Sequence, residues 1–133
     1  MTSKIGFMQG RLSDLIDNKI QAFPKSNWKS EFKEANSIGI KLMEWTIDYE
    51  KNYKNPIITK EGQKEIIELS EKYCLEIKSI TGDCFMQKPF WKEIDIKEQY
   101  NLISQMKEIF FGCNKLGINL IVFPLVDNGT LTN

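Results

Sequence analysis

Four carboxylates, Glu44, Asp48, Asp83 and Asp127, fall at or just beyond the ends of short apolar runs, and Gln9 and Arg11 stand in the same relation to a first run ending at Met8. Carboxylates on separate loops can bind a hard cation or receive hydroxyl donors, and an arginine grips phosphate in a fork. Together they suit a metal-assisted reaction on a polyhydroxylated small molecule, phosphorylated or not. An aspartate in a loop also commonly stabilises its own turn, which is the plain alternative for Asp48, Asp83 and Asp127. Glu44 is different, because it sits between Met43 and Trp45 in an apolar strand, where a buried carboxylate has to be paired or used. Trp45, Phe85 and Trp91 could stack on a sugar ring, although aromatics near strand ends also serve as packing.

What is missing narrows the chemistry further. The chain has no histidine, so Ser-His-Asp and Cys-His catalysis and any His-containing metal site are excluded within it, and Cys84 has no base to activate it. Neither G-x-G-x-x-G nor G-x-x-x-x-G-K occurs, which removes the usual nucleotide cradles. The 18 basic and 18 acidic residues cancel without long runs of either sign, so no nucleic-acid partner is expected. The longest apolar stretch, Leu120 to Val126, is too short to span a bilayer, and Met1-Thr2-Ser3-Lys4 leads into a strand rather than a signal-peptide core. A cytoplasmic protein is expected, with Cys74, Cys84 and Cys113 as reduced thiols rather than a disulfide framework or structural zinc site.

The elements that must position these residues follow from a recurring joint. Ile38-Gly39-Ile40-Lys41-Leu42-Met43, Tyr73-Cys74-Leu75-Glu76-Ile77-Lys78 and Leu116-Gly117-Ile118-Asn119-Leu120-Ile121 each close a helix-like segment and open a strand. The spacing between joints leaves room for a strand, a loop, a helix and a return, as a parallel sheet requires. Strands are expected over Lys4–Gln9, Lys41–Asp48, Glu76–Thr81 and Asn119–Phe123. One helix is expected from Ser26 or Asn27 to Gly39, with Trp28, Phe32, Ala35 and Ile38 on its inner side. A second, capped by Thr59, buries Ile66, Leu69 and Tyr73 with Ile67 and Cys74 beside them. A third, with Asp95 and Glu98 forming a capping box, lines up Leu102, Met106, Ile109, Cys113 and Leu116. Gly82 to Met86 reads as loop, and the nearly all-apolar fourth strand as one covered on both sides or closed in a barrel. The order β-α-β-α-β-α-β fills a single domain, 1–133.

Lys4-Ile5-Gly6-Phe7-Met8-Gln9-Gly10-Arg11-Leu12-Ser13, Leu42-Met43-Glu44-Trp45, Asp83-Cys84-Phe85-Met86 before Pro89-Phe90, and Phe123-Pro124-Leu125-Val126-Asp127 resemble the opening half of the sugar phosphate isomerase/epimerase family with the xylose-isomerase-like TIM barrel. The same fold hosts endonuclease IV-like nucleases. The resemblance implies the first four strands and three helices of an eight-stranded barrel. It also implies a divalent metal (Mn, Mg, Co or Zn) held on later strands, with two glutamates moving a proton between adjacent sugar carbons. Those strands are not in this sequence, so no metal is expected on this chain alone. The positions that carry over are the rim of the sugar pocket, which Arg11, Glu44 and Asp83 would border; Gln9, Trp45, Asp48 and Asp127 join them as substrate-binding candidates from their placement near strand ends. The expected molecule is thus a fragment of an isomerase, inactive by itself and prone to self-association through open sheet edges. Its rivals are a non-catalytic binding or assembly module that pairs two half-barrels, and a compact doubly wound domain, which strand order would distinguish.

Overall fold

The computed structural model describes residues 5–20 and 22–132. Met1 to Lys4, with Lys4 of the expected first strand, and Asn133 lie outside the described residues. Strands β1 (Phe7–Met8), β2 (Leu42–Thr46), β3 (Glu76–Thr81) and β4 (Leu120–Val122) form one sheet. All neighbouring pairs are parallel, in the order β1-β2-β3-β4. Helices α1 (Trp28–Ser37), α2 (Lys60–Tyr73), α3 (Asp83–Gln87) and α4 (Ile96–Lys115) lie between them. A doubly wound sheet reverses its strand order at a switch point and carries helices on both faces. Here the order runs straight through, and the buried side chains of α1, α2 and α4 (Phe32, Ala35, Ile66, Ile109, Cys113) gather in one core with Met43, Trp45, Ile77 and Ile80. The winding is single and one-sided.

The three joints share one geometry. Gly39, Cys74 and Gly117 all take left-handed backbone angles, with φ of 78°, 50° and 71°. The following amides, Ile40, Leu75 and Ile118, each donate back to the carbonyl five residues earlier, at 2.9, 3.1 and 2.9 Å. That closure satisfies the last free carbonyls of each helix and turns the chain into the next strand. The starts follow the sequence too: Thr59 accepts from the Gly62 amide at 3.1 Å and Asp95 from the Glu98 amide at 3.1 Å. Glu98 does not complete the capping box, because the Asp95 amide donates to Glu93 instead.

Several expectations need correction. Gly82 to Met86 is not loop: α3 starts at Asp83, making four α-helices among the described residues where the sequence predicts three. Cys74 does not pack as a small hydrophobe but is exposed at the α2 joint, and Ile67 is exposed as well. β1 and β4 are shorter than read, and β4 is not covered on both faces, since Leu120 and Val122 are 61% and 45% exposed. β3 spans Glu76–Thr81, the boundaries the sequence predicts.

One irregularity in the sheet positions everything that follows. Ile77 and Ile80 both belong to the helix-side core, yet residues three apart on a regular strand face opposite ways. A bulge reconciles them: Met43 pairs with Ile77, but the next residue, Glu44, pairs with Ser79, and Lys78 is the extra residue.

Candidate functional site

The bulge decides what surrounds Glu44. Met43 and Trp45 are fully buried among the helices, so Glu44 projects from the opposite, helix-free face, level with Met8, Ser79 and Leu120 on its neighbours. Ser79 Oγ donates to Glu44 Oε2 at 2.7 Å, and Thr81 Oγ1 donates to Glu44 Oε1. Had the register run on without the bulge, Lys78 would have stood opposite the carboxylate. Instead Lys78 reaches Glu76 at 3.5 Å, and among the described residues the Glu44 carboxylate has hydroxyl partners. The result is a half-buried carboxylate with two hydroxyls on a sheet face whose upper row continues through Thr46, Thr81 and Val122. Such a group can accept hydrogen bonds from vicinal hydroxyls of a ligand.

The other predicted residues divide. Gln9 is fully buried: its side-chain oxygen accepts from the Thr46 amide at 3.0 Å and its carbonyl from Thr46 Oγ1 at 3.3 Å, so it seals the top of β1 against β2. Its Nε2 is buried with no partner among the described residues. Asp48 accepts from the Phe23 amide at 2.8 Å and from Gln87 Nε2 at 2.9 Å, tying the β1–α1 loop to α3. Asp83 is buried in the first turn of α3 rather than presented on a loop, while Arg11 and Asp127 are exposed. Trp45 is in the core, not on the rim, packed 5.5 Å from Trp28 and 5.7 Å from Phe23 between ring centroids, with its N–H donated to Asn55 at 3.0 Å. Phe85 stacks on Phe123 at 4.3 Å, and Trp91 tilts against the same ring. Burial pushes the Cys84 thiol up to about 12 and Cys113 to about 11, which leaves both as packing groups at neutral pH.

The metal implied for the family finds no cradle in these residues. Glu44 and Asp48 have both oxygens engaged by protein donors, and among the described residues no three His, Cys, Asp or Glu side chains are grouped to hold an ion.

Three participants were not legible from residue types. Ser79 and Thr81 become partners of Glu44 only through the bulged register; the one sequence signal is that they follow Ile77 and Ile80 in a strand. Glu31 is fully buried on α1, between Ser30 and Phe32. It accepts from the amides of Gly10 at 2.8 Å and Leu12 at 3.0 Å and from Ser13 Oγ at 3.1 Å, anchoring the loop that carries Arg11. Burial raises its carboxyl above the usual range, and these three donors partly oppose the rise. No family model matches the chain, and no curated protein matches it as a relative.

Proposed function

We propose that this chain forms one half of a xylose-isomerase-like barrel of the sugar phosphate isomerase/epimerase kind, contributing substrate-binding wall rather than the proton-transfer machinery, and working in the cytoplasm. The observation that carries the reading is Glu44, set by the bulge on the helix-free face between the hydroxyls of Ser79 and Thr81. With both hydroxyl protons given to the carboxylate, the remaining lone pairs of Glu44 and Ser79 offer acceptors to which adjacent sugar hydroxyls can donate. Sequential parallel strands with helices on one side are the arrangement of a barrel wall, and three free thiols suit a reducing compartment.

The test uses xylulose 5-phosphate and fructose 6-phosphate with the purified chain, followed by amide shifts in NMR and by sugar composition over time. Millimolar binding with shifts at Glu44, Ser79 and Thr81, abolished in Glu44→Gln, and no interconversion of the sugars, is the expected result. Because the Ser79 and Thr81 hydroxyls can rotate to accept from the new amide, Glu44→Gln should change stability by less than about 0.5 kcal/mol. A variant that fails to fold, or shifts that avoid this face, would make Glu44 a structural residue and end the assignment. A second reading, two copies closing face to face as a binding module, is favoured by the exposure of Leu120 and Val122 on that face.

A further inference from the structure

A cavity of about 240 Å³ lies between the end of the β1–α1 loop and the β2–α2 loop, and it shares no lining residue with the sheet face around Glu44. Phe23, Trp28 and Pro56 form its apolar wall, and Lys25, Lys51 and Lys54 bring three ammonium-bearing side chains to its lining. Its two acidic lining residues do not neutralise all of these. Asp48 is engaged by the Phe23 amide and Gln87, and Glu50 lies 3.7 Å from Lys25. Lys51 and Lys54 have no carboxylate partner among the described residues.

The walls are preformed. Asn55 accepts from Trp45 Nε1 at 3.0 Å and the Ile57 amide at 3.1 Å and donates to the Thr46 carbonyl at 3.3 Å, while Asn52 donates to Gln105 at 3.0 Å. Lys51 is held in the left-handed region, φ 55°, at the start of the 3-10 turn Asn52–Lys54. A residue with a Cβ is disfavoured there, and Lys51 and Lys54 stand on one short turn lining the opening.

We infer that this cavity binds a small anion carried on a single flat ring, the ring against Phe23 and Trp28 and the anionic group against Lys51 and Lys54. The volume is below the roughly 300–1,000 Å³ of pockets for drug-sized ligands, which limits the occupant to about one ring and its substituent. Aromatic walls favour a planar body, and ammonium groups without a carboxylate partner, one of them 5.8 Å from the Tyr53 ring centroid, favour a phosphate or carboxylate. The inference does not depend on the isomerase reading.

Calorimetry with phenyl phosphate, phenylacetate, phenol and inorganic phosphate tests it on the intact chain. Phenyl phosphate or phenylacetate should bind at submillimolar to millimolar concentration, and the stronger of the two identifies the anionic group. Phenol and inorganic phosphate should each bind at least tenfold more weakly. The double variant Lys51→Ala/Lys54→Ala, both exposed positions, should fold normally by circular dichroism and lose at least tenfold in affinity. Any of three results would overturn the inference: no binding of either ring anion at 10 mM, equal binding of inorganic phosphate, or unchanged affinity in the double variant.

Discussion

Glu31 shows how a single buried carboxylate can hold a loop that sequence pattern assigns to nothing. Two amides and a hydroxyl converge on Oε1, and a second contact from the Gly10 amide reaches Oε2 at 3.0 Å. Truncation to Ala would leave these donors facing a cavity and should cost about 2–3 kcal/mol in urea unfolding. Glu31→Gln keeps the Oε1 acceptor but removes the charge, so the two substitutions separate anchoring from ionisation. Because burial raises the folded carboxyl above its unfolded value, the ionised form is penalised at neutral pH, and the penalty disappears as pH falls through the folded value toward 4.5. The melting temperature of the natural protein should therefore rise relative to Glu31→Gln between pH 7 and about pH 5. A constant difference across that window would mean the carboxyl titrates alike in both states.

Among the elements, the helix-to-strand joints are the most uniform feature, and Cys74 is the odd member. Left-handed backbone costs an L-residue with a side chain about 1–2 kcal/mol, which Gly39 and Gly117 avoid. Cys74→Gly should then raise stability by about 1 kcal/mol, seen as an upward shift in the denaturation midpoint; no change would indicate that the sulfur contributes contacts the joint geometry does not explain. Gly112 presents the opposite case inside α4. A Cβ there would lie 2.3 Å from the Ile57 carbonyl oxygen, so the helix and the β2–α2 loop touch through backbone at that point. Gly112→Ala gains helix propensity of about 1 kcal/mol but must push the two elements apart, at about 1–3 kcal/mol or more. Net destabilisation in chemical unfolding is expected, and a stabilised variant would show that the loop yields.

At the scale of the molecule, the sheet has two unpaired edges among the described residues, β1 and β4, and a helix-free face bearing Leu120 and Val122. Free parallel edges beside exposed apolar side chains favour pairing with another sheet. Light scattering should detect dimers or larger species at micromolar concentration, reduced by Leu120→Lys/Val122→Lys on the open face. A monodisperse monomer with cooperative melting would argue that the sheet is sufficient alone and would weaken the half-barrel reading.

The βα winding was written in the sequence because its signals are local: a glycine or equivalent at each joint, Thr59 and Asp95 as caps, and apolar residues at helical spacing all act within a few residues of themselves. That locality also explains why Glu76–Thr81 could be read to the residue while β4 could not be oriented, since exposure depends on what lies across the sheet. The site was decided elsewhere. Whether Glu44 meets Lys78 or Ser79 depends on a one-residue bulge that appears only when Ile77 and Ile80 must both reach the same core, and whether Trp45 lies on rim or core depends on Asn55, Phe23 and Trp28 arriving from three other segments. Strand register and burial are settled by competition among distant side chains for one interior, and no spacing along the chain encodes the outcome of that competition.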